Sequence, residues 1–305
     1  MSNPSPKYSP HRFNRSEWIQ TIPSFGWLAF FFAIPTLLIL VMSFKSANPY
    51  GGFGEGWSLQ AWRDMGNPSY PAVTWRTVWL SVVATVICVG MALPVGFLLG
   101  KSLPKTRATL LLLIIVPFWT NFLIRVYAWK VLLHPEGYLR QALLSLHLID
   151  ERTLLLNHEW AVLLVMVYSY LPFAILPIYA AAEKFDFALL DAARDLGASA
   201  IRSFWQIFVP GVQRGLFAAL VMVLIPALGS YIIPDLVGGA ASEMLGNKIA
   251  ARLFVDRNWP HAAAVSVLLM AVTLFPVLFA FAQQKKESRP ESPRPESAKK
   301  GAAPA

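Results

Sequence analysis

Asp235 is the residue whose type and setting best suit chemistry on a cation. It follows Pro234 at the end of an apolar run, precedes the Gly238-Gly239 pair where backbone can open, and has Tyr231 four residues before it. A carboxylate beside a phenol ring can receive an ammonium group through ion pairing and cation–π attraction. The plainer reading is an acid at a helix end that pairs a loop arginine such as Arg252. Glu243 is a weaker acid in the same loop. Arg125 and Lys130 lie near the end of another apolar run, where a charge either serves function or reaches the headgroups. Lys130 reads as the second kind. Arg125, about one turn deeper, repels a cation unless an acid pairs it, so ordering the helices competes with touching a ligand. Trp119, Tyr127 and Trp129 are candidates to line a path, although aromatic side chains in such helices mostly pack or anchor at interfaces.

Other suggestive patterns dissolve on inspection. Gly96-Phe97-Leu98-Leu99-Gly100-Lys101-Ser102 imitates a phosphate-binding loop but has too few residues between its glycines and no strand before it. Gly96 and Gly100 instead form a GxxxG pair, which permits close approach of two helices. His134, His147, His158 and His261 lack metal-ligand spacing, and His158-Glu159 lacks the second histidine of a zinc-protease motif. Cys88, the one cysteine, sits in an apolar run as a small hydrophobe. Neither an enzyme active site nor a metal or cofactor site emerges.

The elements that must position these residues are membrane helices. Of 305 residues 56% are hydrophobic and only 14% are charged, whereas soluble domains carry about a quarter charged residues. The apolar residues come in blocks of about 20, the length that crosses a bilayer as a helix. Six such blocks predict an all-α polytopic protein with crossings at 24–43, 78–100, 109–131, 160–182, 215–234 and 262–283. Prolines interrupt them: Pro35, Pro94, Pro117, Pro172 with Pro177, Pro226 and Pro276. Residues 1–23 form a polar arm without a convincing signal-peptide cleavage site, and 284–305 form a Pro-, Ser-, Glu- and Lys-rich tail that is expected to be disordered. The loop 45–76, with its glycine cluster and Trp57, Trp62 and Trp75, reads as re-entrant or surface-lying.

Basic residues set the orientation. With a cytoplasmic N-terminus the inside carries Lys7, Arg12, Arg15, Lys101, Lys105, Arg107, Lys184, Arg194, Arg202, Arg214 and the basic tail from Lys285 to Lys300. Fewer fall outside: Lys45, Arg63, Arg76, Arg140, Arg152, Lys248, Arg252 and Arg257. This bias places both termini and the loop 183–214 in the cytoplasm. It also accounts for the net charge of +9 without nucleic acid as a partner.

That loop carries a pattern of its own. Phe187 to Leu196 are strong helix formers with Asp186 as a plausible N-cap, and Gly197 falls where a helix ends in the left-handed conformation. Ser199 would cap a second helix through Phe208, stopped by Pro210. Ala192 and Ala193 keep one face thin, while Phe185, Leu189, Leu190 and Leu196 supply an apolar stripe. Acids and bases balance: Glu183, Asp186, Asp191 and Asp195 against Lys184, Arg194, Arg202 and Arg214. This suits a helix that enters a protein groove better than a patch for anionic lipid.

Asp191-Ala192-Ala193, Gly197, Ile207 and Pro210 match the spacing of the "EAA" loop of ABC-importer permeases, with Asp in place of Glu and Val209 in place of Leu. The 117–129 segment resembles the third-segment signature of spermidine/putrescine permeases, and 228–239 resembles their fifth segment. Leu245-Gly246-Asn247-Lys248-Ile249 and Arg257-Asn258-Trp259-Pro260 are similar to that family before its last crossing. The resemblance covers about 28–283 and implies a type I importer permease fold. It also implies three kinds of protein partner in a bacterial inner membrane: a second permease subunit, a cytoplasmic ATPase dimer docked on the EAA loop, and a periplasmic solute-binding protein. Because the EAA loop is shared by importers of many solutes, an opine or ferric-ion cargo stays open. An ion-coupled carrier working alone would show midplane acids and internal repeats, and neither is visible.

Overall fold

The computed structural model describes residues 15–287, which fall into two compact units. Of the described residues, one comprises 15–68 together with Lys248–Val267; the other comprises Ser69–Asn247 and 268–287. Four helices are long and apolar enough to cross a membrane among the described residues, or six when each of two bent helix pairs counts as one span.

In the first unit, α1 (Arg15–Met42) begins earlier than expected, taking in the end of the polar arm. Phe25, Trp27, Phe32, Leu37 and Leu38 project from it and are exposed, as suits a lipid-facing helix. The loop after α1 holds an antiparallel hairpin, β1 (Lys45–Ala47) and β2 (Phe53–Trp57), then α2 (Gln60–Asp64). Gly51 and Gly52 take positive φ at its tip, and the Gly52 N–H donates to the Arg257 carbonyl at 2.8 Å. Strand pairing inside a mostly helical chain was not legible, because two short strands produce no long alternation. Arg252 pairs with Asp256 at 2.7 Å, an acid other than the Asp235 that sequence offered it.

The second unit is organised by α3 (Ser69–Lys101) and α7 (Glu159–Ala182), which run parallel. Arg76 meets Glu159 at 2.9 Å at one end, and Arg107, just past α3, meets Glu183 at 2.7 Å at the other. Between them the GxxxG pair does what its spacing suggested. A Cβ on Gly96 would stand 2.6 Å from Ile178 Cγ2, and one on Gly100 would stand 3.0 Å from Ala182 Cβ. Leu80, Ala84, Cys88 and Ala92 fall one turn apart on α3 and are all fully buried. They join Val162, Val165 and Met166 of α7 in one core. The third member, α11 (Gln213–Leu228), runs back along α7: Gly215 abuts Ala181 and Pro177, while the Tyr170 hydroxyl donates to the Pro226 carbonyl at 3.2 Å.

Two expected crossings are not single helices. In place of a continuous 109–131 span, α4 (Pro104–Ile115) tightens into a 3-10 turn at Val116–Trp119, and α5 (Phe122–Leu133) follows. With α6 (Tyr138–Ser145) continuing the second arm, the combined axis bends by 87°. Pro117 lacks the N–H that a continuing helix needs, and local side chains take over the exposed backbone groups. The fifth span, expected at 215–234, ends at Leu228. Residues 229–233 lead into a π turn at Pro234–Gly238, a 3-10 turn at Ala240–Ser242 and then helix Leu245–Ala250. Ile233, Val237, Met244 and Leu245 of this irregular stretch are fully buried. Non-helical backbone at membrane depth is tolerated where protein covers it or where it lines a wet cavity. The last helix runs Trp259–Glu287 and takes in the beginning of the expected tail; the rest of that tail and residues 1–14 lie outside the described residues.

Candidate functional site

The 183–214 loop folds as a helix, a sharp reversal and a second helix. Asp186 opens it by accepting the Ala188 N–H on its carboxylate at 3.0 Å; it lies two residues before α8 (Ala188–Asp195), whose N-cap position is Phe187 and not the expected Asp186. At the other end Ala198 N–H donates to the Ala193 carbonyl at 3.0 Å and Gly197 N–H to the Arg194 carbonyl at 2.8 Å. This is a Schellman closure, and it requires the left-handed φ of +88° that Gly197 adopts. Ser199 then caps the next helix by accepting the Arg202 N–H at 3.3 Å.

The second helix departs from expectation. Pro210 does not stop it. Helical turns run from α9 (Ala200–Ser203) through a π turn, Phe204–Phe208, into α10 (Val209–Gly211). Val209 is helical at φ −58° and ψ −46°, and its N–H donates five residues back, to Phe204. A regular helix would drive the Pro210 ring into the carbonyl four residues earlier; the widened turn makes room. The break falls instead at Val212, and the axis turns by 74° into α11.

The expected stripe splits into two faces. Leu190 is buried and Phe185 half-buried, whereas Leu189 and Leu196 are exposed at 51% and 90%. Leu189, Ala192 and Leu196 follow the i, i+3, i+7 spacing of one helix side, so a thin alanine sits between two protruding leucines. Ile201 and Trp205, on the second helix, are also exposed. Asp191, Ala192, Gly197 and Pro210 are exposed, while Ala193 and Ile207 are half-buried. Asp191 and Arg194 face each other at 3.8 Å, which leaves the helix near neutrality.

Behind this surface lies a cluster of phenylalanines that sequence reading missed. Phe208 is fully buried, with the rings of Phe97, Phe185 and Phe204 at 5.0, 5.3 and 5.3 Å, and Phe187 stacks at 6.3 Å. Offset and edge-on pairs of this kind add about 0.5–1.5 kcal/mol each beyond burial. Phe97 belongs to α3, so both short helices are seated on the continuous pair. Gly211 approaches the Phe185 ring where no Cβ fits. Recurrence of Phe at 97, 185, 187, 204 and 208 near segment ends was a visible signal, but only the fold brings position 97 to the others.

The path candidates form two groups. Tyr231 and Asp235 come together: the Asp235 N–H donates to the Tyr231 carbonyl at 3.0 Å, and both side chains are exposed. Asp235 has no ion-pair partner among the described residues. Trp119 and Arg125 lie at the other break, where Trp119 is 79% exposed. Arg125 Nη1 donates to the carbonyls of Phe118 at 3.0 Å and Thr120 at 2.8 Å, with its guanidinium 4.7 Å from the Phe118 ring centre. Asn121 caps α5 by accepting the Leu123 N–H at 2.8 Å, and the Thr120 hydroxyl donates to the Pro117 carbonyl at 2.7 Å. Arg125 thus donates to two carbonyls at the end of the broken helix. Tyr168 of α7 lies against Phe118 and Trp129, and α5 packs on the Pro234–Gly238 turn.

Residues 92–288 match the model of the binding-protein-dependent transport system inner membrane component. The chain is 39% identical over 265 residues to the spermidine/putrescine transport system permease protein PotB of Haemophilus influenzae, covering 86% of this chain and 93% of that protein. It is 37% identical over 247 residues to PotB of Escherichia coli K12, covering 81% and 90%. Among solved structures, a chain of a bacterial ABC transporter that imports the acidic polysaccharide alginate superposes with TM-score 0.71 at 16% identity, covering 89% and 96%. A chain of the MetNI methionine ABC transporter superposes at 0.54 and 17%, covering 72% and 95%.

Proposed function

The chain belongs to the family of binding-protein-dependent transport system inner membrane components, and from that premise we propose that it forms one half of the translocation pathway of an ATP-driven polyamine importer. The observation that carries the cargo is identity of 39% and 37% to spermidine/putrescine permeases across most of both chains. The chain is the permease subunit; ATP is hydrolysed by a separate dimeric subunit, and a second permease subunit completes the pathway. A periplasmic binding protein delivers the polyamine.

The positive-inside bias puts both termini and the 183–214 loop in the cytoplasm. There the Leu189–Ala192–Leu196 side of α8 enters a groove of the ATPase, with Ile201 and Trp205 beside it. Burying such a surface is favourable at about 25 cal/mol per Å² of apolar area, and the near-neutral charge avoids desolvating a strong field. Closure of the ATPase dimer displaces α8. The Phe97–Phe185–Phe187–Phe204–Phe208 cluster is close-packed, so the displacement passes to α3 and α7 instead of being absorbed by the loop. Asp191, Ala192, Ala193, Gly197, Ile207 and Pro210 hold the shape of this coupling element. On the path, Asp235 and Tyr231 meet the ammonium groups and Trp119 lines the route. Arg125 holds the backbone of the third crossing, its charge engaged on carbonyls and an aromatic face so that it does not repel cargo.

The test is copurification of the chain with its ATPase subunit, wild type against Gly197→Trp and Leu189→Asp, followed by ATP-dependent uptake of labelled spermidine in proteoliposomes of the full complex. Loss of the ATPase from both variants, with uptake by wild type, is the expected result. Assembly unaffected by either variant would remove the docking role. A stable wild-type complex that takes up no spermidine or putrescine would remove the cargo and leave the importer.

A further inference from the structure

The residue that fixes Tyr231 and Asp235 is neither of them. Asn247 is 9% exposed, in the first turn of helix Leu245–Ala250. Its Oδ1 accepts the Met244 N–H at 3.1 Å, and its Nδ2 donates to the Tyr231 carbonyl at 3.0 Å. That same carbonyl accepts the Asp235 N–H, so the helical turn that carries Asp235 starts from an oxygen anchored by a buried side chain. Gly246 closes the contact from the other side. A Cβ there would lie 2.8 Å from the Ser230 carbonyl oxygen and 2.8 Å from Tyr231 Cβ.

The anchor is itself tied to the rigid part of the bundle. Leu245 N–H donates to Thr77 Oγ1 at 2.9 Å, and Thr77 is fully buried on α3, where its hydroxyl donates to the Val73 carbonyl. A continuous chain of hydrogen bonds thus runs from α3 through Thr77, the start of the 245–250 helix and Asn247 to the Tyr231 backbone. The position demands one donor and one acceptor at short reach. Asparagine supplies both, aspartate only the acceptor, and leucine neither.

We infer that Asn247, set in place by Gly246 and Thr77, is the positioning residue that holds Tyr231 and Asp235 where phenol ring and carboxylate receive a polyamine's ammonium groups. It thereby determines affinity for the cation. This rests on the reading of Tyr231 and Asp235 as path residues.

Asn247→Asp tests it with little change of volume. The Met244 bond is kept, and the donor to the Tyr231 carbonyl is lost. In proteoliposomes of the full complex, KM for spermidine uptake should rise about tenfold, the scale of one lost buried hydrogen bond, with maximal rate per assembled complex changed by less than about twofold. In the Tyr231→Ala, Asp235→Asn background, adding Asn247→Asp should raise KM no further. Should Asn247→Asp fail to assemble, Gly246→Ala strikes the same contact from the opposite side and should raise KM alike. An unchanged KM in the variant that assembles, or a full additional rise in the triple variant, overturns the positioning role. If Tyr231→Ala, Asp235→Asn alone leaves KM at the wild-type value, the path reading fails and this inference falls with it. A raised KM there beside a wild-type KM in Asn247→Asp overturns the inference alone.

Discussion

The continuous pair α3 and α7 and the two broken crossings are made of the same material, apolar residues punctuated by proline, yet they fold differently. Pro94 lies inside α3, and Pro172 and Pro177 lie inside α7, without breaking either helix. Pro117 accompanies an 87° break, and the fifth crossing fails two residues after Pro226. Proline frees a carbonyl and removes a donor, but in an apolar environment a helix parts only where something else satisfies both new ends. At the third crossing Arg125, Thr120 and Asn121 do so. At the fifth the Tyr170 hydroxyl takes the Pro226 carbonyl and Asn247 takes that of Tyr231. In the continuous pair the polar side chain nearest a proline is turned outward, Tyr170 beside Pro172 donating to the Pro226 carbonyl of α11; glycines let the two helices close on each other and Arg–Glu pairs hold the ends. A donor that reaches the freed carbonyl, and not the proline alone, marks where these two crossings end.

The contrast can be broken from either side. The largest effect is expected for Gly96→Leu, which drives a branched side chain into Ile178 and the α7 backbone. Overpacking of this kind costs about 1–3 kcal/mol or more, and the variant should show little folded protein by size-exclusion chromatography. Arg125→Met comes next. It leaves two carbonyls of the break without their donor, a loss of about 1–3 kcal/mol, seen as a lower midpoint of thermal unfolding in detergent. Arg125→Lys, which supplies a single ammonium, should recover part of it. If Arg125→Met melts like wild type, water or a neighbouring group serves the break and the rule above fails.

Gly197→Ala should be milder for the isolated subunit, about 1 kcal/mol for a side chain forced to positive φ. The same change should lower ATP-dependent uptake out of proportion to that loss, since it alters the reversal between the two loop helices. The smallest effect belongs to Glu159→Gln. Its partner Arg76 is partly exposed, and pairs at such ends contribute about 0–1 kcal/mol. A shift of thermal midpoint as large as that of Arg125→Met would show that the ends of α3 and α7, and not their glycine contact, hold the pair together.

Sequence reading reached the loop in detail because its signals are local. Gly197 and Ser199 each act on backbone within three residues, at the position where their type foretold, while Asp186 holds the Ala188 N–H from one residue before the cap position, which falls at Phe187. It failed at Pro210, where the relief comes from a wider turn of the same helix. It also failed at the stripe, because only packing decides which of Leu189 and Leu190 faces inward. The hairpin in 45–57 gave no warning, and the ends of the third and fifth crossings were misplaced for one shared reason. The groups that terminate them arrive from elsewhere in the chain or from the next turn.

Apolar blocks of bilayer length, the bias of basic residues and the 191–210 spacing by themselves determined that this is a multi-crossing permease subunit with a helix–turn–helix loop, since length, charge and short-range capping are properties of neighbouring residues. The tertiary structure alone decided which helices stay whole, that Phe97 joins the loop's phenylalanines, that Arg125 serves backbone, and that Asn247 reaches Tyr231. Each of these joins groups whose meeting depends on how the helices bend and pack. A buried polar group goes to whatever partner that packing brings within reach.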